Sequence, residues 1–282
     1  MSLPHSLPGH VGVYGGGRMG AGIAHAFLAA GTAVTVVEYD DAAAGAARER
    51  VVRSLEKAAS KGLLDLDDAA GRLTTTADAD ALAACTLVVE AVPEDVALKA
   101  SVLTRVEKAA PDALLASNTS SLSISELAAL LTRPEAFVGL HFFNPVPASD
   151  LVEIVVGSAT APDVVGRAQD LVAGLGKTAI TVKDAPGFAS SRLGVALAME
   201  AIRMVEEGVA SAADIDTAMT LGYRHPTGPL RTTDIVGLDV RLAIAEHLAA
   251  TLGPRFEPPA LLREMVAAGK LGRKSGEGFY SW

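Results

Sequence analysis

Short apolar runs alternate with stretches of helical periodicity through the first two-thirds of the chain. Val11–Tyr14, Ala33–Glu38, Leu87–Glu90, Leu114–Ser117 and Phe137–His141 read as buried strands. An alanine-rich helix ending at Gly31 follows the first, and a helical pattern from about Asp41 to Lys61 follows the second. Strand–helix alternation of this kind predicts a parallel sheet covered by helices on both faces. Two further strand-like runs, Leu151–Val156 and Ala179–Val182, flank a helix that begins near Pro162 and stops near Gly174 and Gly176.

After Asp184-Ala185-Pro186-Gly187 the period changes. Phe188–Glu207, Ala212–Leu221, Asp234–Leu252 and Pro259–Ala268 all read as helices, broken by Gly and Pro clusters. The expected organisation is therefore an α/β domain over residues 1–185 joined to a smaller all-α domain over 186–282.

The first strand runs into Gly15-Gly16-Gly17-Arg18-Met19-Gly20, a G-x-G-x-x-G pattern at Gly15, Gly17 and Gly20 that opens a helix. Such glycines permit a tight turn, close approach of backbone to a pyrophosphate, and close helix–strand packing. The helix start adds unpaired N–H groups and a positive dipole end. The second strand ends in Glu38, whose carboxylate suits the adenosine ribose hydroxyls and repels a 2′-phosphate, so NAD is favoured over NADP. Asp40 is a neighbour able to share that role, and Arg18 can soften the preference from the adenosine end. The α/β part is thus expected to be a Rossmann-type domain.

His141 ends a strand and enters the proline-stiffened loop Phe142–Pro147, where α/β sheets collect ligands. Glu153 stands among apolar residues on the next strand, a costly place for an unpaired charge. An imidazole beside a buried acid suits the proton transfer that accompanies hydride loss from an alcohol. Ser117–Leu122 follows another strand. Ser121 or Ser123 there is expected to cap a helix with Glu126, leaving Asn118 and Ser120 for a substrate oxygen or a nicotinamide.

Composition narrows the choices. The 282 residues carry a net charge of −9, which disfavours a general nucleic-acid binder. One cysteine, Cys85, excludes an intramolecular disulfide and a cysteine metal cluster, and no metal site is expected; the thiol reads as buried. The first ten residues lack the basic and apolar regions of a secretory signal, and no run is long enough for a membrane helix. The chain reads as a cytoplasmic protein.

These segments together resemble the L-3-hydroxyacyl-CoA dehydrogenase family, nearest its bacterial 3-hydroxybutyryl-CoA branch. The resemblance is carried in order by Gly15–Ala24, Val89–Glu94, Ser117–Leu122, His141–Pro147, Pro186–Arg192, Pro226–Leu238 and Gly269–Tyr280. It implies a dehydrogenase of a short 3-hydroxyacyl-CoA in fatty acid or butanoate metabolism, with NAD as cofactor and a helical domain that forms a homodimer. It further implies His141 as the base, Glu153 as its partner, and Ser120 at the reacting oxygen or the cofactor. Glu38 falls on the ribose ligand, with Arg18 and Met19 in the phosphate loop. Glu94, Lys99, Asn144 and Lys274 fall on NAD contacts, and Ser54 and Lys61 on CoA contacts. One position departs: the family's asparagine before the arginine of the PGF segment is Ser191 here, shorter and without an amide. Two rival readings stay open, a CoA-free dehydrogenase of a small hydroxy acid, and an NADH-binding protein without turnover. The apolar face Leu193, Leu197, Ala201 and Met204 is a weak sign of dimerisation.

Overall fold

The computed structural model describes residues 7–282. The segment in which a leader was sought lies partly in residues 1–6, outside the described residues. Two compact units follow one another, one through Asp184 and one from Ala185.

In the first unit, β1 (His10–Tyr14), α1 (Arg18–Ala29), β2 (Ala33–Val37), α2 (Asp41–Ala59), α3 (Leu66–Gly71) and β3 (Leu73–Thr76) form the opening half. Then come β4 (Leu87–Glu90), α4 (Val96–Ala109), β5 (Leu114–Ser117), α5 (Ile124–Ala128) and β6 (Phe137–Phe142). The unit closes with β7 (Leu151–Val156), α6 (Pro162–Gly174) and β8 (Thr178–Lys183). The strands make one sheet in the order β3-β2-β1-β4-β5-β6-β7-β8. Val11, Val13, Val34, Val36 and Val89 are buried against Ile23, Phe27 and Leu28 of α1. Each such fully buried side chain contributes on the order of 1.5–3 kcal/mol relative to exposure. The helices start where short acids accept from their own first turns: Asp40 from Ala43 N, Asp65 from Asp68 N and Asp95 from Leu98 N.

The sheet departs from the sequence expectation in two ways. Leu73–Thr76, a run not singled out in the sequence, pairs in parallel with β2 as an edge strand; the β-branching of its three threonines was the overlooked signal. The parallel arrangement also stops at β6, because β7 pairs with it antiparallel before β8 resumes parallel to β7. Residues 143–150 are too few for a crossover helix, so the chain must turn back on itself.

The second unit contains α7 (Ser190–Glu206), α8 (Ala212–Thr217), α9 (Pro229–Val236), α10 (Leu238–Leu252) and α11 (Ala260–Ala267) around Val195, Met199, Ile202, Leu230, Leu238, Leu248 and Leu262. The expected helix over 234–252 is two helices: Pro229 starts α9 early and Gly237 ends it. The expected apolar face of α7 is also split. Ala201 is 3% exposed in the core and Leu193 is 71% exposed.

Candidate active site

The glycine loop joins β1 to α1. Gly15 has φ +98°, and a Cβ on Gly20 would lie 1.7 Å from the Gly15 carbonyl oxygen, so neither position tolerates a side chain. Gly15 N–H donates to the Val37 carbonyl at 2.8 Å, tying the loop to β2. Gly16 N–H donates to Glu38 Oε1 at 2.6 Å. No side chain caps the start of α1, whose first-turn N–H groups therefore have no side-chain acceptor. Gly15, Gly17, Arg18, Met19 and Glu38 line one cleft of about 760 Å³ with Arg105. A dinucleotide fits this cradle, with N–H donors for its pyrophosphate and a carboxylate for its ribose.

The antiparallel turn has a direct chemical result. His141 and Glu153 are register partners across β6 and β7, so both side chains leave the same face of the sheet. His141 Nδ1 lies 2.7 Å from Glu153 Oε2, with Glu153 fully buried and the imidazole nearly so. The Phe143 ring packs on the imidazole at 4.5 Å.

A second carboxylate organises the loop after β5. Glu94 Oε1 accepts from Thr119 Oγ1 at 2.6 Å, Ser120 N at 2.9 Å and Ser121 N at 3.0 Å. Ser120 Oγ donates to the same oxygen at 3.3 Å. Burial pushes the Glu94 carboxyl up, but Lys99 and these donors together outweigh it and hold it below its ordinary value. Lys99 is 1% exposed, with Nζ 2.7 Å from Glu90, 3.0 Å from the Val92 carbonyl and 3.4 Å from Glu94. Asn118 Oδ1 accepts from Phe142 N–H at 2.9 Å, fastening this loop to β6.

A basic hollow of about 480 Å³ opens beside the first cleft, lined by Arg18, Arg50, Arg53, Ser54, Lys57 and the Asn144–Pro147 loop. Lys177 holds that loop from behind, donating to the Val146 carbonyl at 2.8 Å and the Ser149 carbonyl at 2.5 Å.

Comparison with known proteins decides the family. Residues 10–185 match the NAD binding domain of 3-hydroxyacyl-CoA dehydrogenase, and residues 187–282 match its C-terminal domain. The chain is 44% identical over 279 residues to the 3-hydroxybutyryl-CoA dehydrogenase of Mycobacterium tuberculosis, covering 96% of this chain and 98% of that protein. It is also similar to the crystal structure of (S)-3-hydroxybutyryl-CoA dehydrogenase PaaH1 from Ralstonia eutropha, with TM-score 0.93, 40% identity, and coverage of 98% of this chain and 99% of that one. The Hydroxyacyl-coenzyme A dehydrogenase, mitochondrial, of Sus scrofa is 40% identical over 285 residues, 97% of this chain and 91% of that protein.

The chain belongs to the 3-hydroxyacyl-CoA dehydrogenase family. As a member it is an NAD-dependent oxidoreductase with a Rossmann-type domain and a helical C-terminal domain. Set against the family expectations, the structure joins Gly15, Gly17, Arg18, Met19 and Glu38 in one cleft, with Gly20 behind the loop. Asp40, the alternative ribose ligand, is instead engaged as the cap of α2. Lys99 does not line the cleft. Its ammonium is committed to Glu90 and Glu94, so it reaches Ser120 only through the latter. Asn118 uses its carbonyl oxygen to hold β6. Asn144 lines the basic hollow.

Ser54 does line that hollow, its hydroxyl 2.8 Å from His25 Nδ1, whereas Lys61 lies past the end of α2 and does not. In the C-terminal unit Ser191 stands in the first turn of α7, and Lys274 pairs with Asp239 at 2.5 Å. Sequence reasoning missed Arg50, Arg53 and Lys57. With Ser54 they occupy positions i, i+3, i+4 and i+7 of α2, one helical face, and that spacing was the available signal.

Proposed function

We propose that this dehydrogenase interconverts the 3-hydroxyl of a short (3S)-3-hydroxyacyl-CoA with the ketone, 3-hydroxybutyryl-CoA with acetoacetyl-CoA, using His141 as the acid–base group. The 2.7 Å contact between His141 Nδ1 and Glu153 carries the reading. With Nδ1–H donated to the carboxylate, the basic nitrogen of the ring is Nε2. In oxidation Nε2 accepts the hydroxyl proton, and Glu153 stabilises the resulting imidazolium; in reduction the same nitrogen returns the proton to the forming alkoxide. NAD supplies the hydride acceptor when bound. Ser120 and Ser191 donate to the reacting oxygen; Glu94 keeps the Ser120 backbone N–H while the Ser120 hydroxyl turns from Glu94 to the substrate. Glu38, Asn144 and Lys274 contact the cofactor, and Lys99 serves it by holding Glu94.

The CoA moiety is assigned to the basic hollow, where Arg50, Arg53 and Lys57 join Ser54. Four cations within reach of one hollow suit a phosphate-rich nucleotide and serve no purpose for a small free acid. The same reading takes the protein as a cytoplasmic homodimer. For the dimer, the support is that the C-terminal unit exposes Leu193, Leu221 and Tyr223.

The test is NADH oxidation with acetoacetyl-CoA compared with free acetoacetate. The thioester is expected to be used with kcat/KM at least about a hundredfold higher, the ~3 kcal/mol of two or three charge-assisted contacts. Equal or better use of the free acid overturns the CoA assignment, and NADH binding without turnover of either compound overturns the catalytic one.

A further inference from the structure

One wall of the basic hollow leads inward to a buried imidazole. His25 on α1 is 5% exposed, and its Nδ1 lies 2.8 Å from the hydroxyl of Ser54, which lines the hollow from α2. A hydroxyl inside a helix commonly spends its hydrogen on the carbonyl one turn back. Thr104 on α4 does so, donating to the Ala100 carbonyl at 2.8 Å. Ser54 meets a ring nitrogen instead, so the aim of its hydrogen depends on which of the two partners donates. Burial first, and the Lys177 ammonium second, lower the pKa of His25. The ring is therefore uncharged at neutral pH, with one N–H and one lone pair.

Lys177 is anchored over the same face of α1. Its Nζ donates to the Val146 carbonyl at 2.8 Å, and Val146 packs 3.0 Å from where a Cβ on Gly22 would lie, one turn before His25. With Nδ1 turned to Ser54, Nε2 is the nitrogen left, and a nearby cation favours a lone pair there over a hydrogen. Nδ1 then carries the hydrogen and donates it to Ser54 Oγ, whose own hydrogen is free to point into the hollow. Arg18, Arg50, Arg53 and Lys57 around the opening supply charge, and an oriented hydroxyl adds direction. We propose that His25 is a positioning residue for the CoA end of the substrate, turning the Ser54 hydroxyl towards a phosphate oxygen held in the hollow. The inference rests on the assignment of the CoA moiety to that hollow.

The test uses the purified full-length enzyme, NADH and two thioesters, acetoacetyl-CoA and acetoacetyl-pantetheine, the second lacking the nucleotide and every phosphate. The wild type is expected to have a KM about tenfold or more lower for acetoacetyl-CoA. His25→Leu is expected to raise that KM about tenfold, the scale of one hydrogen bond to a charged group, and to leave acetoacetyl-pantetheine unaffected. Its kcat should stay within about twofold, because binding common to ground and transition states is what is lost. His25→Gln, whose amide N–H can replace Nδ1–H, is expected to restore most of the affinity. Ser54→Ala, the milder change, should match His25→Leu, and the double variant should be no worse than either single one. Equal losses on both thioesters, additive losses in the double variant, or an unchanged KM in Ser54→Ala overturns the proposal. Two failures are told apart by the wild type: equal KM for the two thioesters sinks the CoA assignment itself, whereas a CoA preference that His25→Leu leaves intact sinks only this inference.

Discussion

At the carboxyl ends of β1 and β2 the protein presents main chain to its cofactor: glycines, uncapped N–H groups, and one acid, Glu38, already engaged by Gly16. At β6 and β7 it presents side chains: an imidazole and a carboxylate set opposite each other by strand pairing. On the function proposed above, the first region recognises and its tolerance is steric, while the second reacts and its tolerance is set by protons. Damage to one should therefore be separable from damage to the other.

The largest separation is expected from His141→Ala, which should lower turnover by about 10²–10⁴-fold while NADH affinity, read by fluorescence titration, stays within twofold. A loss below about threefold would move the base elsewhere. Glu153→Gln keeps the shape and removes the charge, and should cost about 10–100-fold in kcat, as lost supporting partners of a reactive histidine do; a pH–rate profile identical to that of the wild type would deny it that role. In the recognising region, Glu38→Ala is expected to weaken NADH binding about tenfold, the scale of one hydrogen bond to a charged group, and to narrow discrimination against NADPH. Unchanged affinity would return the ribose role to Asp40.

The smallest effect concerns stability. Burial first, and the Lys177 ammonium second, lower the pKa of His25 below its ordinary 6.5. Below that pH the unfolded chain takes up a proton that the folded chain resists, so stability should fall as pH drops from about 7 towards 5 and be flat above. His25→Asn should flatten that slope in thermal melts recorded across the range, and an unaltered slope would exclude His25 as its source.

The recognising region was easier to read in the sequence, because geometry leaves few residues able to make that turn: Gly15 and Gly20 announce themselves by spacing. The reacting pair was legible for a different reason, a lone acid at Glu153 inside an apolar strand that demanded a partner. What stayed hidden depended on contacts between elements. Nothing in the spacing joins Lys99 to Glu90 at the end of β4, and nothing in the sequence sets Arg50, Arg53 and Lys57 beside the 144–147 loop with which they line one hollow. The strand Leu73–Thr76 was concealed by hydroxyls on an edge where pairing needs no apolar face. Gly237 was legible as a residue but not as the break between α9 and α10, since single glycines are tolerated inside helices.

The turn from β6 into β7 also governs which insertions and deletions a descendant of this gene can survive. Side chains on a strand alternate with period two, so gain or loss of a single residue within either strand would send the acid or the imidazole to the opposite side of the sheet. The connecting segment 143–150 escapes that parity rule, because lengthening it leaves the ladder on both sides in step. Length variation among functional descendants should therefore collect in the connection and be missing from the two strands, where one codon too many would part the imidazole from its acid while leaving the fold largely intact.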